Sequence, residues 1–264
     1  MSGKKANPAL QRALDILEVI SESHAGFTNA DLARRLGMPK SSASSILRVL
    51  QNRGYLCRAM SNGRYKLGFK PLTLGRKLLE HSAIRDLALP LMRDLVERAD
   101  LTCHLAIFGQ YEAVHMEKIV AQKYFKVDHS RSVGERVPLH SSSVGKALLA
   151  WQDQPVLEAS LPQLELPRTA PRTITTRARL LAKLSEIRSQ GYAIDDEECR
   201  AGWRCVGAPI FDHLGSVRVA ICLTGTVKEL NDSRLAFATT AVKETARQIS
   251  RRFASEHLQF ATCG

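Results

Sequence analysis

Apolar side chains recur along this chain in two rhythms. Near the start, Leu10, Leu14, Leu17 and Ile20, with Ala13 and Ile16, repeat at helical spacing and predict a first helix with one apolar face. A shorter helix follows, in which Thr28 is placed to cap and Asp31, three residues on, sits near the positive end. It buries Leu32, Ala33 and Leu36, and Gly37 ends it in the left-handed geometry that glycine tolerates. Pro39 suits the first turn of a third helix running toward Gly54, with Ile46, Val49 and Leu50 as its inward face. The rhythm then changes. Tyr55 and Leu56 open a strand, Ser61-Asn62-Gly63 turns it, and Tyr65 to Leu67 return. Pro71 to His81 reads as a linker helix with Leu72, Leu78 and Leu79 on one side.

From Ala83 onward helices and strands interleave without an internal repeat. Helices are predicted over Leu87–Ala99, from Ser142 to Trp151, over Thr176–Gln190 with a stop at Gly191, and over Ser233–Arg252. Strands are predicted at Thr102–Phe108, Ala113–Ile119, near Tyr124–Asp128, and at Tyr192–Asp195, Val206–Phe211 and Val217–Thr224. Pro155 to Pro171 reads as a loop-rich connection with at most a short helix. Hairpin-like strand pairs between helices imply an antiparallel sheet covered by helices, so the fold class is α+β. The domains expected are 1–70, a linker helix 71–82, and 83–264.

Charge sharpens the division. Residues 1–82 hold 14 Lys/Arg against 5 Asp/Glu, a net +9, whereas the rest carries only +3 of the total +12. Positive charge gathers on the small N-terminal part, as phosphate binding requires. On the third helix Lys40, Ser41, Ser42, Ser44, Ser45 and Arg48 are available outward. Small hydroxyl side chains let a helix sink into a major groove, while Lys and Arg supply charge. Arg58, Arg64 and Lys66 decorate the hairpin and Thr28 opens the preceding helix, completing the expected DNA-contacting set. Ala25 to Leu67 is thus a winged helix-turn-helix in outline. Hydrophobic content of 44% and the lack of a long apolar run argue for a cytoplasmic protein with no membrane partner. The six cysteines form no C-x-x-C pair, so disulfides are not expected.

Three blocks carry a resemblance: the winged helix, GERVPLHSSSVGKALLAW at 134–151, and GYAIDDEECRAGWRCVGAPIFDHLGSVRVAICLTGT at 191–226. Together they resemble the IclR family of bacterial transcription regulators over roughly Pro8 to Arg252. The resemblance implies a GAF-like second domain that senses a small molecule, and dimers or tetramers on palindromic operator DNA. It also implies that Ser143 and Val144 border the effector cavity, that Asp195 reaches the effector, and that Cys205 lines the pocket. Cys222 and Thr224, two apart on a strand, share a face, where several family members carry serines. Ser141, Ser142 and Ser143 at a helix start offer N–H groups and a dipole to an anion, or simply cap the helix. A small organic acid is the expected ligand.

Other readings have less support. Lys146 is not a P-loop lysine, because His140 and Ala147 stand where that pattern needs Gly and Ser or Thr. No G-x-S-x-G surrounds Ser143 and no H-E-x-x-H is present, so no enzyme, catalytic residue, cofactor or metal is expected. A DNA-tethered enzyme or metal-dependent sensor using Asp195, Cys199 and Cys205 is the alternative. Asp196, Glu197 and Glu198 read as a solvated loop; His104, His129 and Arg131 could add positive charge near a carboxylate but are read first as surface or packing residues.

Overall fold

The computed structural model describes residues 7–109, 112–124 and 132–256. Its contacts divide the chain between His81 and Ser82 into two units. Among the described residues no helix is long and apolar enough to cross a membrane.

In the first unit, α1 (Pro8–Ser21) begins at Asn7, whose side chain accepts the N–H groups of Ala9 and Leu10. Its buried residues are Ile16 and Ile20, whereas Leu10 and Leu14, expected on the inner face, lie exposed. Helix α2 (Asn29–Arg35) opens with a full capping box: Thr28 accepts from the Asp31 N–H, and Asp31 accepts from the Thr28 N–H. The chain leaves α2 through Gly37 at φ +60 and enters α3 (Lys40–Asn52) with Pro39 at the cap. Strands β1 (Leu56–Arg58) and β2 (Tyr65–Leu67) pair antiparallel, and Phe27 bridges to Tyr65 from the far side. Helix α4 (Lys70–Glu80) buries none of its residues, so Leu72 and Leu78 face outward without a cover.

The second unit contains α5 (Ala83–Ala99), β3 (Thr102–Gly109), β4 (Glu112–Ile119), β5 (Arg136–Val137), α6 (Ser143–Ala150), α7 (Gln154–Ser160), α8 (Arg177–Gln190), β6 (Ala193–Asp196), β7 (Trp203–Phe211), β8 (Val217–Thr226) and α9 (Asp232–Ser255). Helix α5 starts four residues earlier than the pattern predicts, since Ile84 and Ala88 extend its buried face. Of the strand expected near Tyr124–Asp128, Tyr124 instead closes a 3-10 turn (Gln122–Tyr124), and residues 125–128 lie outside the described residues. The antiparallel sheet runs β5-β4-β3-β8-β7-β6. Helices α6 and α8 cover one face, and α5 and α9, packed on each other, cover the other.

Two features set the α6 face. His104 pairs with Cys222, Thr102 with Thr224, and Cys205 with Thr224, so alternation brings His104, Cys205, Cys222 and Thr224 to one side of the sheet. Gly145 lets α6 come close: a Cβ there would stand 2.5 Å from the Pro138 carbonyl oxygen and 2.7 Å from Leu139 Cα. All eight residues of α6 are buried.

Candidate functional site

The reader helix α3 turns Ala43, Leu47 and Leu50 inward, with Ile46 half-buried. Val49, expected inside, is 54% exposed, because the buried stripe starts at the small Ala43 and continues through Leu47. Lys40, Ser41, Ser44, Ser45 and Arg48 are exposed and Ser42 is half-buried, so the expected reading surface is open to a groove. Two other expected contacts are committed to the fold. The Thr28 hydroxyl closes the capping box and also donates to Asp31 Oδ2 at 2.8 Å. Arg64 Nη1 donates to the Gly26 carbonyl at 2.8 Å and stands 3.8 Å from Asp31 Oδ2. On the wing, Arg58 lies over the Tyr65 ring and donates to Gly63 O at 3.2 Å, while Lys66 is exposed.

In the second unit a cavity of about 310 Å³ opens between the α6 N-terminus and the sheet. Its walls include Ser143, Val144, Asp195, Cys205, Cys222 and Thr224, the whole expected effector set. The Ser142 hydroxyl is spent locally, accepting the Gly145 N–H at 3.0 Å and donating to Pro138 O at 2.7 Å. Ser143 Oγ, by contrast, is buried with no nitrogen or oxygen partner among the described residues and meets only the Cys222 thiol, a weak hydrogen-bonding group. A buried hydroxyl left with only a thiol for partner costs free energy, and a ligand oxygen at this helix end would reduce that cost. Asp195 is buried, and its Oδ1 accepts N–H bonds from Glu198 at 2.9 Å and Cys199 at 3.1 Å. Burial outweighs those bonds and the nearby Lys146 charge, and pushes its carboxyl up to about 7. Burial likewise raises the thiol of Cys205, and that of Cys222 to about 11, so both are neutral walls.

Two histidines stand at this cavity, of which the sequence reading singles out only His104. His104 is buried and lines the cavity, and so does His115, with ring centroids 4.8 Å apart. A bulge between Leu105 and Ala106 shifts the β3–β4 register so that His115 faces Ala106. Without it, His115 would fall opposite Ile107 and turn to the other face of the sheet. His129 and Arg131 lie outside the described residues.

The acidic run is not a solvated loop. Asp196 pairs with Arg172 and, at 2.6 Å, with Arg204. Glu197 accepts the Gly202 N–H at 2.8 Å. Glu198 meets the fully buried Lys146 at 2.5 Å, and Lys146 also donates to Ile194 O at 2.6 Å. Burial raises the Glu198 carboxyl, and Lys146 opposes the rise. Lys146 on α6 therefore holds the segment 194–198 that carries Asp195 to the cavity. Among the described residues no group of three or more His, Cys, Asp or Glu could hold a metal ion.

Two family models match this architecture part by part. Residues 9–58 match the IclR helix-turn-helix domain and residues 76–251 match the C-terminal domain of bacterial transcriptional regulator IclR. The chain belongs to the IclR family. It is a DNA-binding transcriptional regulator of that family and not an enzyme. This IclR-family chain is 32% identical to the HTH-type transcriptional regulator XynR of Escherichia coli (strain K12) over 243 residues, 92% of this chain and 96% of that one. The IclR crystal structure from Thermotoga maritima aligns at TM-score 0.70 and 30% identity, covering 93% and 98% of the two chains. An IclR homolog from Microbacterium hydrocarbonoxydans, solved in complex with 4-hydroxybenzoate, aligns at TM-score 0.76 and 25% identity over 94% and 99%. The six-stranded sheet and its helices are thus the GAF-like IclR C-terminal domain.

Proposed function

We propose that this IclR-family regulator controls a catabolic operon by sensing a small organic acid in the cavity at the α6 N-terminus. The observation that carries this reading is the convergence of Ser143, Val144, Asp195, Cys205, Cys222 and Thr224 on one cavity, with a buried hydroxyl in its wall that no nitrogen or oxygen satisfies. A carboxylate accepts from Ser143 and the helix-end N–H groups, and Asp195, when protonated, donates to it rather than repelling it. The 4-hydroxybenzoate complex of a homologue at 25% identity is consistent with a ligand of that size and charge.

On the DNA side, Lys40, Ser41, Ser42, Ser44, Ser45 and Arg48 read a major groove, while Arg58 and Lys66 touch backbone beside it. The exposed leucines Leu10, Leu14, Leu72 and Leu78 supply an apolar surface through which two copies pair, matching two half-sites of a palindromic operator. A ligand with different affinity for two arrangements of such a dimer changes operator occupancy.

The test is a fluorescence-anisotropy titration of labelled promoter DNA from beside the gene, with and without a panel of small carboxylates. Salt-dependent binding, weakened by Arg48→Ala and altered by at least one acid that also raises the melting temperature, supports the reading. Binding indifferent to salt or to Arg48→Ala overturns the DNA assignment. A melting temperature unmoved across the panel overturns the effector assignment.

A further inference from the structure

A second cavity, of about 330 Å³, lies at the other end of α6 and shares no wall residue with the first. Its sides are Trp151 at the α6 C-terminus, the last turn of α8, Pro209 and Phe211 on β7, and Lys243, Arg247 and Ser250 on α9. Trp151 and Phe211 meet edge to face, with ring centroids 5.9 Å apart, and form its apolar wall. Three cations line it, Arg188, Lys243 and Arg247, and no carboxylate does. That is a sharp local excess in a part of the chain, residues 83–264, whose net charge is only +3.

Two of these cations have structural duties. Arg188 donates to the carbonyls of Ala150 and Gln152, and Lys243 donates to Gln190 O at 2.8 Å beside the Tyr192 ring. Each thereby meets a helix C-terminus, which carries roughly half a negative charge. About one of the three positive charges is offset in this way, and the rest is not. Lys243 keeps two further N–H groups, and Arg247, one turn along α9 on the same side, makes no hydrogen bond or ion pair among the described residues. A guanidinium and an ammonium one helical turn apart match the several oxygens of a phosphate or carboxylate. Pro209, which lacks an N–H, stands on the stretch of β7 beyond the last β6 pair at Gly207, so an added strand is disfavoured there. A compact ligand suits this cavity better than a peptide.

We propose that this cavity is a second small-molecule site, taking an aromatic oxyanion whose charged end is held by Lys243 and Arg247 and whose ring lies on Trp151 and Phe211. Its size falls within the range of small-ligand pockets, and its apolar wall with a few convergent donors is their usual construction.

The chain's two tryptophans make the test direct, because Trp151 lines this cavity and Trp203 lines the effector cavity. In full-length Trp203→Phe protein only Trp151 reports. Phenyl phosphate, benzoate and the neutral benzyl alcohol are titrated, first alone and then after Arg247→Ala or after Ser143→Leu, which fills the effector cavity. The expected result is a saturable change in Trp151 emission with phenyl phosphate or benzoate, weakened about tenfold by Arg247→Ala, kept in Ser143→Leu, and absent with benzyl alcohol. Whichever anion saturates at lower concentration identifies the charged group. No saturable change, or one that survives Arg247→Ala, overturns the proposal. So does a change that is lost in Ser143→Leu, or one that tracks protein concentration and a doubled mass in light scattering. The latter would make the cavity a contact between copies. Arg247 is exposed and makes no bond of its own, so its alanine variant folds, and a melting curve checks this.

Discussion

The reader unit and the sensor unit place their working groups in opposite environments. On α3, Lys40, Ser41, Ser44, Ser45 and Arg48 are exposed and owe the fold little, which leaves them open to the proposed DNA contacts. Around the effector cavity most working groups are buried, and the support of Asp195 reaches back to a distant part of the chain. Asp195 depends on the N–H groups of residues 198 and 199, and their segment depends on Lys146, 48 residues before Ile194 and 52 before Glu198. Exposed polar groups cost little to keep and can be altered one at a time. Buried ones are a connected set, in which removing one strands another.

The strongest way to break this contrast is Lys146→Met. It leaves Glu198 buried without its counter-charge, and the expected loss is about 3–5 kcal/mol of unfolding free energy, read by urea denaturation. Adding Glu198→Gln should return most of that loss. If the double variant is no more stable than the single one, the pair is not the support described here. Next in size, Gly145→Ala forces a Cβ against the Pro138 carbonyl and is expected to cost roughly 1–3 kcal/mol. A wild-type melting curve for that variant would mean α6 can stand further off, and the cavity geometry would need revision.

A matched pair sharpens the reader's side. Arg48→Ala should weaken operator binding and reduce the salt slope by about 1, with stability unchanged. Thr28→Ala should do the reverse, costing about 1 kcal/mol of stability through the lost cap while the salt slope holds. Equal salt-slope changes in both would return Thr28 to the DNA interface.

The remaining prediction is one of pH. The Asp195 carboxyl titrates near 7 in the folded protein against an ordinary 3.8, so the native state holds a proton that the unfolded chain releases. Stability is therefore lost as pH rises through that window and stays lost above it. Asp195→Asn keeps an oxygen for the Glu198 and Cys199 N–H groups and removes the titration. Its melting temperature relative to wild type should climb from about pH 4 to pH 7 and then level off. A flat difference would mean that Asp195 is already ionised throughout.

The same contrast decides what could be read from the residues alone. The reader's elements are announced locally: Thr28 with Asp31, Gly37 after α2, Asn62-Gly63 in the wing. The structure differs there in phase. Helical periodicity allows two neighbouring stripes on α3, one through the large Val49 and the buried one that begins at the small Ala43. In the sensor, strand alternation was enough to put Cys222 and Thr224 on one face, while the family resemblance supplied Ser143, Val144, Asp195 and Cys205. His115 was invisible because its direction depends on a bulge that no residue pattern marks. Lys146 and Glu198 look like ordinary surface charges until the fold carries both inside. The second basic cavity is likewise assembled from four separate elements, none of which is unusual by itself.

Helix α6 has a further consequence. Its eight residues span about 12 Å, one end in the wall of the effector cavity and the other at Trp151. Buried along its whole length, it has no solvent-facing side toward which it could bow or fray. A strut gripped on all sides resists bending, so it holds the two cavity walls a fixed distance apart.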